Sequence, residues 1–118
     1  MEGQGPCEEK SFAFAIRVVK LSKWLKQEHK EYELANQIIR SGTSIGANVA
    51  EAQYAQSKKD FISKMHIALK EAYETKYWLK LLIASNIVSD ETLETMLADV
   101  EELLKILTSI TKTTKQNL

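Results

Sequence analysis

Gln37-Ile38-Ile39-Arg40-Ser41-Gly42-Thr43-Ser44-Ile45-Gly46-Ala47-Asn48-Val49-Ala50-Glu51 is the stretch whose reading decides the fold. Wound at about 100° per residue, the periodicity of an α-helix, it sorts into three stripes. Leu34, Ile38, Ile45, Val49 and Ala52 share one side, and Ala35, Ile39, Gly42, Gly46 and Ala50 form a small-residue groove beside them. Gln37, Arg40, Ser44, Asn48 and Glu51 make a third, polar stripe. Each glycine costs roughly 1 kcal/mol relative to Ala inside a helix, so both need a reason. Close approach of another backbone, which a residue without Cβ permits, supplies one. A rival reading breaks the helix at Ser41-Gly42-Thr43-Ser44, with Thr43 or Ser44 capping a new one. Unbroken phase across the glycines favours one helix over 32–54, bent near Gly42 and Gly46.

Working outward, the chain reads as all-α. It has 118 residues, 44 % of them hydrophobic, with one Pro and four Gly, which fits a single helical domain with a real core. A leader is expected over 1–9, a bundle over 10–111 and a flexible tail over 112–118. The first helix spans 10–27, with Phe14, Val18, Leu21 and Leu25 on one stripe and Phe12, Ile16 and Val19 nearly opposite. Its link to the second helix falls in the polar run Glu28-His29-Lys30-Glu31. Ser57 and Asp60 fit a capping box opening a third helix over 58–85. Phe61, Met65, Ala68, Leu69, Ala72, Leu79 and Ile83 form its core stripe, and Ile67, Trp78 and Leu81 lie opposite. Asn86 suits a left-handed stop. A fourth helix over 90–110, capped by Ser89, is apolar only along Leu93, Met96, Leu97, Val100, Leu103, Leu104, Leu107 and Ile110. Four helices with short links predict an antiparallel up-down bundle.

The second apolar faces of the first and third helices have two readings. They are covered within the monomer, or they are an interface with another copy, because monomers seldom expose so large a patch. Phe12, Ile16, Val19, Ile67, Trp78 and Leu81 are therefore candidate interface residues. Tyr73, Tyr77 and Trp78 read as packing or interface residues rather than a cofactor box.

Charge is unevenly spread although lysine plus arginine balance aspartate plus glutamate at 16 each. Lys10, Arg17, Lys20, Lys23, Lys26 and Lys30 face only Glu28 over 10–30, whereas Asp90, Glu91, Glu94, Asp99, Glu101 and Glu102 stand without a cation over 89–104. This gives a dipolar surface, charge-matched neighbours, or ordinary solvated faces. Arg17, Lys20 and Lys23 beside Trp24 form the candidate nucleic-acid strip, since phosphates need open Lys or Arg and an indole can stack on a base. The polar stripe, joined by Glu71 and Glu74, reads either as a phosphate or partner site or as a buried structural network fixing helix register and subunit orientation. The structural reading is preferred.

Catalytic patterns are missing from the sequence. His29 and His66 are isolated, no Glu-x-x-His pair is present, and the Gly-Lys-Ser/Thr ending of a phosphate loop is absent after Gly46. Cys7, the single cysteine, has no partner for a disulfide or metal and no activating neighbour in sequence. A non-enzymatic protein without cofactor or metal is expected. No apolar run approaches 18 residues and no signal segment opens the chain, so no membrane contact and a cytoplasmic location are expected.

Two blocks carry a family resemblance: residues 37–52, and Asp60-Phe61 through Ile67-Ala68-Leu69-Lys70-Glu71-Ala72-Tyr73-Glu74-Thr75-Lys76-Tyr77-Trp78-Leu79. Together they resemble the bacterial four-helix bundle family named for proteins encoded in intervening sequences of large-subunit ribosomal RNA genes. The likeness spans most of residues 11–110. Ala52 stands where many members have glycine. The resemblance implies a ring-shaped homopentamer, and kinship with accessory proteins of diversity-generating retroelements that work with a reverse transcriptase and RNA or DNA. On a ring, several copies of a weak basic strip gain through avidity. Fold kinship alone transfers no activity.

Overall fold

A computed structural model describes residues 5–88 and 90–116. Among them the chain forms four helices and no strand: α1 (Pro6–His29), α2 (Tyr32–Ala52), α3 (Lys58–Ser85) and α4 (Glu91–Gln116). The Ser89 cap, residues 1–4 of the expected leader and residues 117–118 of the expected tail lie outside the described residues.

Helix boundaries follow local chemistry. Whereas the sequence reading starts the first helix at Lys10, α1 begins at Pro6, whose fixed φ and missing N–H suit a first helical position. Glu8 accepts a hydrogen bond from the Gly5 N–H, closing the first turn. Burial of Cys7 anchors this turn in the core, so residues 6–9 are helix rather than leader. Between α1 and α2 only two residues intervene. Lys30 takes the left-handed conformation (φ 54°), the Glu31 N–H donates back to the Leu25 carbonyl at 3.0 Å, and the Glu31 carboxylate caps α2 through the Leu34 N–H at 3.2 Å.

No break interrupts α2 at Ser41–Ser44. There the hydroxyls donate to carbonyls of the preceding turn: Ser41 to Gln37 at 3.0 Å, Thr43 to Ile39 at 2.6 Å and Ser44 to Arg40 at 2.6 Å. Such bonds let hydroxyl residues sit within a helix instead of capping a new one. The helix stops at Ala52, two residues short of the expected end, in a turn closed by the Gln53, Tyr54 and Ala55 amides. Ser57 then caps α3 through the Asp60 N–H at 3.1 Å, while Asp60 accepts from the Gln56 N–H at 3.2 Å. Asn86, with φ 55°, terminates α3. At its far end α4 continues to Gln116, with Thr111 and Thr114 hydroxyls bonded one turn back, so residues 112–116 are helical rather than a loose tail.

Each helix packs on its sequence neighbour, and α4 returns onto α1; the diagonal pairs stay apart. The contacts run in opposite directions along each pair, as an up-down bundle requires. Ser22 of α1 donates to the Ala35 carbonyl of α2, and Thr75 of α3 lies 2.9 Å from Ser41 of α2. The core gathers Phe14, Val18, Leu21 and Leu25 with Ile38, Ile45, Val49, Met65, Leu79, Leu82, Met96, Val100, Leu103 and Leu107. Ile62, Thr75 and Leu82 are buried on α3 where the sequence stripe names Phe61, Leu69 and Ile83, which are half-buried. The core face of α3 is therefore turned slightly toward α2. Thr75 tolerates burial because its hydroxyl has the Glu71 carbonyl at 2.8 Å as well as Ser41.

The small-residue groove of α2 receives α1. A Cβ built on Gly46 would lie 3.2 Å from the Ser11 carbonyl oxygen, a true backbone approach. At Gly42 the neighbour is a side chain instead: the same atom would meet the Val18 methyls at 2.7 and 2.8 Å.

Candidate functional site

The polar stripe of α2 lies away from the Ile38–Val49 face, with Arg40 and Glu51 exposed and Gln37, Ser44 and Asn48 half-buried. Arg40 is exposed and reaches Gln37 Oε1 at 2.6 Å and Glu74 Oε2 at 3.4 Å. The same Glu74 oxygen accepts from the Trp78 indole N–H at 3.1 Å. Asn48 donates to the Ser44 carbonyl at 2.8 Å, and Ser44 bonds its own helix. Glu51 pairs with Lys64 at 3.6 Å. The members expected to form one network thus divide into an Arg40–Glu74–Trp78 chain, a separate Glu51–Lys64 pair and two residues bonded within α2. Exposed pairs of this kind contribute about 0–1 kcal/mol.

Glu71 is the exception on this face. Its Oε2 atom is buried and has no hydrogen-bond partner among the described residues. Desolvation, reinforced by Glu74 and opposed by Arg40, holds its carboxyl above the usual carboxylate range. The folded chain therefore keeps this proton to higher pH than the unfolded chain does. Stability is lost as pH rises from the ordinary carboxylate range through the raised folded value. Glu71→Gln, which removes the charge, is expected to raise the midpoint of thermal unfolding at pH 8. The advantage should shrink as pH falls below 5; an advantage that grows on acidification would contradict this assignment.

The basic side of α1 meets the acidic α4. Lys10 pairs with Glu102 at 2.9 Å, and Arg17 Nη1 with Asp99 at 2.5 Å, while Arg17 Nη2 donates to the Thr95 hydroxyl at 2.7 Å. Charge matching between neighbouring helices thus accounts for part of the sequence asymmetry, and Arg17 leaves the open strip. Lys20 and Lys23 remain exposed and form no ion pair among the described residues. Trp24 is half-buried and meets His29 edge-on, with centroids 4.6 Å apart.

Beside Trp24 a cleft of about 300 Å³ opens between α1 and the start of α4, lined by Arg17, Lys20, Leu21, Trp24, Asp90, Thr92, Leu93 and Met96. One oxygen of Asp90 accepts the Thr92 N–H at 2.7 Å, and hydrogen bonding from the Thr92 side chain, then from this N–H, holds its carboxyl below the usual range. Sequence reasoning missed Leu93, Met96, Asp90 and Thr92 as companions of the strip. They sit at and just after the start of α4, and helix pairing decides what that end faces.

The candidate interface residues lie where a partner could reach them. Phe12 is 64 % exposed and Ile16 44 %, with Val19 half-buried beside them on α1. On α3, Ile67 is 39 % exposed, and Trp78 and Leu81 are half-buried. Tyr77 stacks edge-on against Trp78 at 5.1 Å and is itself exposed.

Cys7 is buried, and burial with Glu8 nearby pushes its thiol up to about 11, opposite to what a nucleophile requires. Among the described residues no group of three or more His, Cys, Asp or Glu gathers as a metal site. Among the described residues, no helix is long and apolar enough to cross a membrane.

Comparison with known proteins agrees with this architecture. No curated protein matches the chain. The chain is similar to a crystal structure of a protein of unknown function from the S23 ribosomal protein family of Bacteroides thetaiotaomicron VPI-5482. That likeness has 52 % sequence identity and a TM-score of 0.86, covering 90 % of this chain and 95 % of the other. The description 23S rRNA-intervening sequence protein matches residues 6–109, which take in all of α1, α2 and α3 and most of α4. With nearly the whole bundle matched, the chain belongs to the 23S rRNA-intervening sequence protein family.

Proposed function

We propose that this protein is a non-enzymatic, self-associating scaffold, a ring of five copies working in the cytoplasm. The observation that carries the reading is the pair of outward apolar faces, Phe12 and Ile16 on α1 and, spaced along one side of α3, Ile67, Trp78 and Leu81. Because α1 and α3 are diagonal in the bundle, the two stripes lie on different sides of one copy. One stripe of each copy meets the other stripe of the next, an arrangement that closes into a ring when the rotation permits. The ring repeats the Lys20–Lys23 edge around its axis and displays it to RNA or DNA, or to a nucleic-acid enzyme such as a reverse transcriptase. Multivalency makes a weak strip effective.

Light scattering tests the assembly. The expected mass is that of five 13.4 kDa chains, and Phe12→Glu with Ile16→Glu should release folded monomers. A clean monomer for the unmodified protein overturns the scaffold reading.

A second reading, a protein-interaction module with no nucleic-acid contact, draws support from the Lys10–Glu102 and Arg17–Asp99 pairs, which remove two cations from the strip. A salt-dependent mobility shift with single-stranded RNA or DNA, lost on Lys20→Glu with Lys23→Glu, separates the two. Absence of any shift at low salt favours the second.

A further inference from the structure

We propose that the cleft between α1 and the start of α4 seats one unpaired nucleotide, its base beside Trp24 and its phosphate on Lys20. This rests on the nucleic-acid part of the function proposed above and adds a location and a ligand chemistry to it. The cleft combines three features that a single base requires.

Its walls are apolar and aromatic. Half-buried Trp24 lines a space of about 300 Å³ whose floor is the buried Leu93 and Met96. That is at the lower end of the range for ligand pockets, suited to one ring system rather than a base pair. Stacking on an indole is sequence-tolerant and contributes substantially to single-strand binding.

Its cations are differentiated. Arg17 is pinned by Asp99 and Thr95, so it walls the cleft with a neutralised guanidinium. Lys20, at the rim, keeps a free ammonium for a phosphate. Lys23 is three residues further along the exposed side of α1, where the next phosphate of a strand leaving the cleft would pass.

Its far wall carries an acceptor. Asp90 is exposed at the cleft and accepts the Thr92 N–H at 2.7 Å, and hydrogen bonding from the Thr92 side chain and backbone holds its carboxyl below the usual carboxylate range. A carboxylate accepts from an exocyclic amine, as carried by adenine, cytosine or guanine, and repels the flanking carbonyls of uracil. The site therefore favours amine-bearing bases.

The test uses the full chain with Trp78→Phe, so that Trp24 is the only indole reporting. Free AMP and UMP form one arm; adenine and uracil hexaribonucleotides form the other. Trp24 emission should change on binding, with the adenine ligand preferred by roughly tenfold. The hexamer should bind more tightly than the mononucleotide if Lys23 takes a second phosphate; equal affinity would assign the site to free nucleotides. Lys20→Glu, an exposed substitution, should abolish the emission change, and Asp90→Asn should level the adenine–uracil preference. Hexamer binding with unchanged Trp24 emission and no effect of Lys20→Glu overturns the cleft while leaving nucleic-acid binding standing. No binding of either hexamer at low salt overturns both.

Discussion

Phe14→Ala is expected to lower the stability of the folded chain by about 3–5 kcal/mol. Phe14 is only 2 % exposed, within the cluster formed by Val18, Leu103 and Leu107. Removing the ring forfeits its transfer free energy and leaves a hole that surrounding helices fill incompletely. Two residues earlier the same side chain faces outward, and Phe12→Ala should change the stability of the isolated bundle by less than about 0.5 kcal/mol. Urea unfolding at several protein concentrations measures both. Association adds to apparent stability by mass action, so Phe12→Ala should reduce stability only where copies are concentrated enough to assemble. Equal, concentration-independent losses for the two variants would mean that Phe12 belongs to the core.

Gly42→Val is expected to cost roughly 3 kcal/mol, the second large effect. Ordinarily, replacing a glycine in a helix interior gains stability, about 1 kcal/mol for alanine and a few tenths for valine. Here the new Cβ falls within 2.8 Å of both Val18 methyls, and a β-branched neighbour has no flexible end to withdraw. Overpacking therefore outweighs helix propensity. Gly42→Ala should show the same sign at smaller size, and adding Val18→Ala should recover part of the loss, a coupling of about 0.5–3 kcal/mol. Gly46→Ala makes the contrast. Its Cβ would stand 3.2 Å from the Ser11 carbonyl, close enough to require a small shift but not a collision. The helix gain and the shift then nearly cancel. A stabilising Gly42→Val would show that the α1–α2 pair can separate without penalty.

The three-stripe pattern of residues 37–51 made the second helix legible, because apolar period and phase survive across both glycines. What the pattern could not say is which atoms those glycines admit. Backbone at Gly46 and a side chain at Gly42 look alike in sequence. Ser22, Ser41, Thr75 and Thr111 were illegible as core residues for a related reason. Their hydroxyls find carbonyls on their own or a neighbouring helix, so polarity does not expel them. The polar stripe shows composition but not partners: within one copy Arg40 reaches Glu74 on α3, while Ser44 and Asn48 bond their own helix. On α1 the basic strip was visible as a charge run. Its loss of Arg17 to Asp99 depends on α4 lying alongside, a fact of topology rather than of local pattern. The cleft beside Trp24 likewise exists only once the two helices are brought together.

The order of packing carries a kinetic consequence. Because α1 meets α2, α2 meets α3 and α3 meets α4, most docking events join segments already close along the chain. Each such closure loses little loop entropy, and chains dominated by near-neighbour contacts fold in microseconds to milliseconds. The seam between α4 and α1 alone must bring distant segments together, and its outer edge is tied by Lys10–Glu102 and Arg17–Asp99. Screening those charges with salt should weaken this seam by no more than such exposed pairs contribute, and leave the contacts between sequence neighbours in place.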